Sequence, residues 1–389
     1  MSIKVCGIGV VSSIGVGCVE NLQSLLAERC GIGRITLFET SIDVPVGEVK
    51  KTNDQLKEML GLSKTQTISR TALLGALAAK EAVEDAHIAK HKSVGLISST
   101  TVGGMDLTEQ FYQDFSKDKS AGKLRFIAGH DCATSTKFIA DQCGIDGFMT
   151  TISTACSSAT NAIIMGAEML NRDMLDYVVV GGVDALCRFT INGFNSLMIL
   201  DKDLCKPLDK DRKGLNLGEG AGYLVLTKDK ECHKSYCELS GYANANDAFH
   251  QTASSDNGQG AYLAMSEALA MSGIELQDID YINLHGTGTN NNDSSEIAAV
   301  KRIFKDMIPH SSSTKSFIGH TLAASGGVEA VYSVLSIVNG VRYANLRFEN
   351  MIDQGFAPIT KTETGVDIRN VISNSFGFGG NCASLVFSK

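Results

Sequence analysis

The chain has no tryptophan and only 4 prolines in 389 residues. It has no CxxC pair and no HExxH spacing, the patterns that usually mark a metal centre. No uninterrupted apolar run approaches roughly 18 residues, so no membrane span is predicted. Basic residues are also short: 35 Lys and Arg face 43 Asp and Glu, for a net charge of −8. With no long basic run to offset that balance, nucleic acid is not the expected partner. Neither GxGxxG nor a phosphate-cradling GxxxxGK[ST] follows a strand in register, which excludes the common nucleotide-binding loops.

What is present is glycine, 39 of them, which implies many turns of positive φ or close backbone approach. Eleven cysteines are scattered, several in apolar runs such as those at Cys6, Cys187 and Cys382. The odd count, and a start (MSIKVCGIGVVSSIG) that reads as a buried strand and not as a signal peptide, point to a reducing cytoplasm. The length exceeds what one hydrophobic core usually holds, so two core units are expected.

Short apolar strands alternate with longer helical patterns, which predicts α/β layering. Helices are predicted over Thr65 to Ala86, Ser157 to Leu170, Ala261 to Met271, Ser294 to Lys305 and Val328 to Val338. Strands are predicted over Val94 to Ser98, Tyr177 to Val180, Tyr223 to Thr227, Tyr281 to Leu284 and Ser384 to Phe387. The chain also echoes itself. NLGEGAGYLVLT (216–227) and NSFGFGGNCASLVF (374–387) are both glycine-rich turns running into a strand. ISTACSSATNAIIMGAEML and SFIGHTLAASGGVEAVYSVL each set a reactive side chain just before a small-residue helix. Duplication of one layered unit is the reading, with a seam in the polar stretch Lys228 to Lys234 and halves 1–235 and 236–389.

Four segments carry chemistry. In TISTACSSATNAI, Cys156 precedes a helix whose first turn is small. A thiol there feels unpaired N–H groups and the helix dipole, which favour thiolate. The tight turn also follows the logic of the nucleophile elbow. In YINLHGTGTNNND a strand delivers His285 to a loop where open α/β sheets place ligands. Thr287 and Thr289 there could bind an amide-bearing ligand. In STKSFIGHTLAASGGVEA, His320 precedes a helix, Lys315 lies five residues earlier, and a nearby ammonium would keep an imidazole neutral. In SNSFGFGGNCASLVF, Phe378 could cover an acyl pocket and offer its N–H to an oxyanion.

Together with PLDKDRKGLNLGEGAG (207–222) and NDAFHQT (246–252), these segments make the chain resemble the beta-ketoacyl-ACP synthases, in the elongating Cys-His-His branch of the thiolase superfamily. The resemblance spans essentially the whole chain. It implies a five-layered αβαβα fold of two similar halves, no cofactor and no metal, with substrates carried on the phosphopantetheine of acyl carrier protein. It implies a homodimer, or a heterodimer with a second ketosynthase-like subunit. It makes Cys156 the acyl acceptor, His285 and His320 the decarboxylation pair, and Lys315 the charged support of His320. The N–H groups of Cys156 and Phe378 become the oxyanion hole. Thr287, Thr289, Phe376, Leu208 and Leu215 become substrate contacts. Glu329 and Asp293 become structural, Glu329 in a network with Lys315 or a bound cation. Lys64 and Arg70 match a region the family uses for carrier docking, with Lys123, Arg125, Lys206, Lys210, Arg212 and Lys213 as further basic candidates.

The chain departs from the family pattern at Leu208, Leu215, Cys382 and the loop TTVGGMD (100–106), which bears on acyl length and shape. Alternatives are a thiolase, for which Cys382 would be a second cysteine, and an inert partner subunit of the chain-length-factor type. The His320 segment argues against the first, and the retained Cys156 against the second. Fatty acid, polyene and polyketide pathways all remain open.

Overall fold

The computed structural model describes residues 2–389. Ten strands define the frame: β1 (Ile3–Ser12), β2 (Val94–Ser99), β3 (Met149–Ile152), β4 (Tyr177–Asp184), β5 (Gly220–Thr227), β6 (Cys237–Asn246), β7 (Tyr281–Asn283), β8 (Ser311–Ser312), β9 (Asn370–Gly377) and β10 (Asn381–Ser388). They lie in the order β8-β7-β9-β10-β6-β1-β5-β4-β2-β3, with the short Gly15–Val16 strand added beside β1. Numbered by chain position within each half, the strands read 3-2-4-5-1 on both sides. In each half the fifth strand is antiparallel to the first and fourth, and the second is parallel to the third and fourth. The halves meet where β1 pairs with β6, Ile3 opposite Leu239.

Six helices complete five layers: α1 (Arg70–Ala86), α2 (Cys132–Cys143), α3 (Ser158–Asn171), α4 (Gln259–Ser272), α5 (Asn290–Phe304) and α6 (Ser325–Asn339). α1 and α2 cover the outer face of the first sheet, and α4 with α5 the outer face of the second. α3 and α6 lie between the sheets, in contact with strands of both. The described residues form four apolar cores, a small one around Leu215 and three set by that arrangement. One fills the centre (Ile163, Val328, Val331), one lies under α1 (Leu73, Leu74, Val179), and one under α4 (Met265, Leu269, Ile282). The stretch Leu322–Asn339 is long and apolar enough to cross a membrane by composition, and it is 89% buried as the central helix of this protein.

The predicted elements lie where the periodicity placed them, with one shortened start. The helix expected from Thr65 begins at Arg70, because Ser69 caps it by accepting from the N–H of Ala72. α2 and the helices at Cys18–Leu26, Asn53–Met59, Met105–Phe115 and Arg188–Ser196, all short and with few buried apolar residues, were not predicted.

Candidate active site

Cys156 follows β3 and stands just ahead of α3. Ala155 before it holds φ of +53°, a left-handed conformation that costs a non-glycine residue roughly 1–2 kcal/mol. That turn throws the sulfur forward. Gly377 at the end of β9 packs directly on the elbow: a Cβ there would lie 2.9 Å from the Cys156 nitrogen. This close approach brings the next residue's N–H, that of Phe378, to the sulfur beside Cys156's own N–H. The sulfur therefore sits where two backbone donors converge.

His285 follows β7. Its own N–H and that of Gly286 donate to the buried Glu296 carboxylate at 2.9 and 2.8 Å, which fixes the loop. Asn374 of β9 donates to the same carboxylate at 3.1 Å, and burial pushes the Glu296 carboxyl up to about 7. His320 sits in a turn held by the glycine-rich motif of the first half. The N–H of His320 donates to the Asn216 carbonyl, and that of Gly218 to the His320 carbonyl, both at 2.8 Å. A Cβ on Gly218 would fall 2.3 Å from the Ile318 carbonyl oxygen, so glycine is required for that contact.

The three side chains meet. His320 Nε2 is 3.1 Å from Cys156 Sγ, and the two imidazoles stand edge to face with centroids 5.3 Å apart. One ligand-type atom from each residue lies within 4.8 Å of the others. By spacing and donor type those three atoms could also hold a tetrahedral ion.

The hydrogen bonds set the proton positions. His320 Nδ1 accepts from the Leu322 N–H at 3.3 Å and lies 2.8 Å from the Ser325 hydroxyl. His285 Nδ1 faces Lys315 Nζ at 3.2 Å. Burial first, then the Lys315 charge, hold both imidazoles well below the usual histidine range, with His320 adding to the effect on His285. A neutral imidazole that accepts at Nδ1 carries its proton on Nε2. Both histidines thus present Nε2–H.

Two sequence expectations change here. Lys315 contacts His285 directly and reaches His320 only through its charge. The short helix Lys315–Ile318 and the turn at Gly319 (φ +77°) carry His320 away, leaving the ammonium between His285 and Glu329, with which it is ion-paired. The Cys156 thiol is not poised as thiolate: burial pushes it up to about 11, and Lys315 and the Phe378 N–H only partly oppose that.

The site opens into a cavity of about 250 Å³. Thr287, Thr289, Leu215, Phe376 and Phe378 line it, as expected, and Phe378 stacks on Phe194 with centroids 6.2 Å apart. Leu208 does not line it. Its side chain belongs to the core under α4, and its N–H donates to Asp293 Oδ2 at 2.7 Å. Asp293 is buried and also receives the Gly288 N–H, so it braces this loop and is separate from the Lys315–Glu329 pair. Cys382 is buried in the same core under α4, away from the cavity wall. The 100–106 loop is fastened by Asp184, which accepts from Thr100, Thr101 and Val102 and also from the Ala323 N–H, so it braces the His320 turn.

Arg70 is no docking residue. It is buried, its guanidinium gripping Glu219 and the Val49 and Lys51 carbonyls. Arg212 is buried too, bonded to the carbonyls of Asp209, Thr289 and Asn290. Lys64, Lys123, Arg125, Lys210 and Lys213 are exposed, and Lys206 is half-buried.

Residues 1–232 match the family model described as beta-ketoacyl synthase, N-terminal domain, and residues 236–349 match beta-ketoacyl synthase, C-terminal domain. The chain belongs to the beta-ketoacyl synthase family. These are condensing enzymes of the acyltransferase type. The chain is 30% identical to 3-oxoacyl-[acyl-carrier-protein] synthase 2 of Staphylococcus aureus (strain COL), over 100% of this chain and 98% of that protein. It is equally similar, at 30%, to the protein of the same name from Rhizobium meliloti (strain 1021). Among solved structures it resembles the ishigamide ketosynthase/chain length factor (TM-score 0.94, 28% identity, 100% of this chain and 99% of that chain). It also resembles the ketosynthase ApeO in complex with its chain length factor ApeC from Xenorhabdus doucetiae (TM-score 0.87, 30% identity, 100% and 98% covered). The five-layered thiolase-like fold is therefore shown for this ketosynthase by topology and by similarity alike.

Proposed function

We propose that this ketosynthase joins an acyl group held on Cys156 to the two-carbon unit of a malonyl thioester, both delivered on acyl carrier protein. The observation that carries this is the pair of Nε2–H donors facing one sulfur across one cavity. An acyl thioester exchanges onto Cys156, and the thiol proton leaves on the carrier's sulfur. The N–H groups of Cys156 and Phe378, with His320 Nε2–H, stabilise the charge that develops at sulfur and at the acyl oxygen. The malonyl thioester then places its carbonyl oxygen between the two imidazoles. Loss of CO2 leaves an enolate whose charge those donors hold, and its carbon attacks the Cys156 thioester. The product is a 3-oxoacyl thioester two carbons longer, with the Cys156 thiol restored by a proton. Donor and acceptor alternate on one sulfur, so the kinetics are ping-pong.

Every group this sequence needs is supplied by the chain, which supports a reaction without metal or redox cofactor. Lys315 would hold His285 in its donor tautomer, and the Phe376 and Phe378 rings would keep water from the thioester. The relatives' printed names support acyl carrier protein as partner. The likeness to ketosynthase/chain-length-factor complexes supports pairing with a second ketosynthase-like chain as an alternative to a homodimer. We place the boundary between halves at 235–236, close to the junction of the two matched domains, and the chain in a cytoplasm that keeps its eleven cysteines free. Incubation with acyl and malonyl carriers tests the reading. Intact mass should show the acyl adduct on Cys156, and product analysis a 3-oxoacyl carrier with release of CO2. Condensation without that adduct would overturn it.

A further inference from the structure

The cavity wall runs from buried to exposed side chains. Its buried part holds Cys156 with the two imidazoles, and the apolar side chains of Leu215 and Phe376. The same wall carries the hydroxyls of buried Thr287 and half-buried Thr289, 2.9 Å apart, and the amide of exposed Asn290. Among the described residues that line it, Lys213 is the one side chain carrying a permanent charge. It is 70% exposed, which puts it at the rim.

The seat of Lys213 is fixed from below. Its neighbour Arg212 is buried and donates to the Thr289 carbonyl at 3.1 Å and the Asn290 carbonyl at 2.6 Å. On its other side, Gly214 touches the threonine loop so closely that a Cβ on Gly288 (φ +86°) would lie 2.7 Å from the Gly214 carbonyl oxygen. The backbone carrying Lys213 is thus locked to the wall formed by Thr287 and Thr289. The ammonium itself is held loosely. Its partner Asp203 stands 3.3 Å away and is 76% exposed, a surface pair that contributes little and is easily exchanged.

We propose that Lys213 binds the phosphate of the substrate's pantetheine arm, trading Asp203 for it. The inference rests on the function proposed above and names a contact within it. The match is chemical. Such a substrate presents an acyl chain, then amides, then a doubly ester-linked phosphate. The wall presents apolar side chains, hydroxyls and amides, and one ammonium at its exposed edge. A charge-assisted N–H to phosphate contact is about twice as strong as a neutral one.

The test compares octanoyl-4′-phosphopantetheine with octanoyl-pantetheine as acyl donors, reading Cys156 acylation by intact mass and apparent KM by initial rate. In the unaltered protein the KM ratio, dephosphorylated over phosphorylated, is expected to be about tenfold. In Lys213→Met it should approach one, and in Lys213→Arg it should stay near the starting value. A ratio near one in the unaltered protein, or a ratio that Lys213→Met leaves in place, overturns the phosphate contact while leaving Cys156 as acceptor. No adduct from either thioester overturns the acceptor reading and this contact together.

Discussion

Cys156 and His320 occupy the same place in the two halves, and the difference between them explains the division of labour. Each follows the third strand of its half, β3 or β8, and each precedes the inner-layer helix, α3 or α6. Both turns carry a non-glycine residue of positive φ, Ala155 at +53° and Leu322 at +54°. In the first half the elbow is immediate, two residues from the helix start, and it presents a sulfur to backbone donors. In the second, the helix starts five residues on, and the extra length lets an imidazole reach across to that sulfur. Burial acts on both in the same sense, toward neutrality. It raises the thiol and lowers the imidazoles. In the proposed reaction one half would supply a nucleophile held as the thiol, and the other would supply neutral imidazole donors.

The comparison breaks first at the nucleophile. Cys156→Ala should reduce condensation by about 10⁴-fold or more, read as 3-oxoacyl product. Cys156→Gln should retain CO2 release from malonyl carrier without condensation, because the donors of the second half remain. His285→Ala and His320→Ala should each lower malonyl decarboxylation by about 10²- to 10³-fold, while mass spectrometry still finds partial acyl loading of Cys156. Equal loss of loading and decarboxylation would instead make a histidine the base that activates the thiol.

Lys315 sharpens the comparison because it touches one half and is felt by both. Its charge lowers the Cys156 thiol pKa and also lowers those of His285 and His320. Removing it in Lys315→Met must therefore raise all three. The rate of iodoacetamide modification of Cys156 follows thiolate, rising with pH toward about 11 in the unaltered protein. In the variant that curve should move to higher pH, so modification at pH 8 slows several-fold. A curve moved to lower pH would show that the ammonium does not act on the sulfur.

Much of this was legible in the sequence, and the failures share one cause. The echo around Cys156 and His320 showed because it is local, and a small-residue helix start leaves a pattern within about ten residues. The strand ends that deliver His285 and Phe378 were legible for the same reason. What failed depended on distant partners. Lys315 lies five residues from His320 and acts on it through its charge, but proximity along the chain hid its direct contact with His285, since the turn at Gly319 carries His320 away. Arg70 looked like surface because nothing nearby in sequence shows Glu219, which grips it from the other end of the first half. Glu296 and Asp184 were missed because a carboxylate that braces loops through backbone N–H groups needs no motif around it.

The two positions once grouped as a docking pair now separate, and they make the smallest test on activity. Arg70 and Glu219 form a buried ion pair in which the arginine also holds the Val49 and Lys51 carbonyls. Arg70→Ala leaves the Glu219 carboxylate buried without its cation and should cost about 3–5 kcal/mol of stability, read as a lowered Tm. Lys64 is exposed, and only its carbonyl is engaged, accepting from Lys57 Nζ at 3.0 Å. Lys64→Glu should leave Tm unchanged. If an acidic carrier docks there, it should raise KM for carrier-bound thioesters a few-fold and more at low salt, since an exposed charge acts through a field that salt screens. KM for pantetheine thioesters free of carrier should not move. Equal KM shifts for both kinds of substrate would assign Lys64 to the cavity and not to the carrier, and no shift for either would move docking to another basic patch.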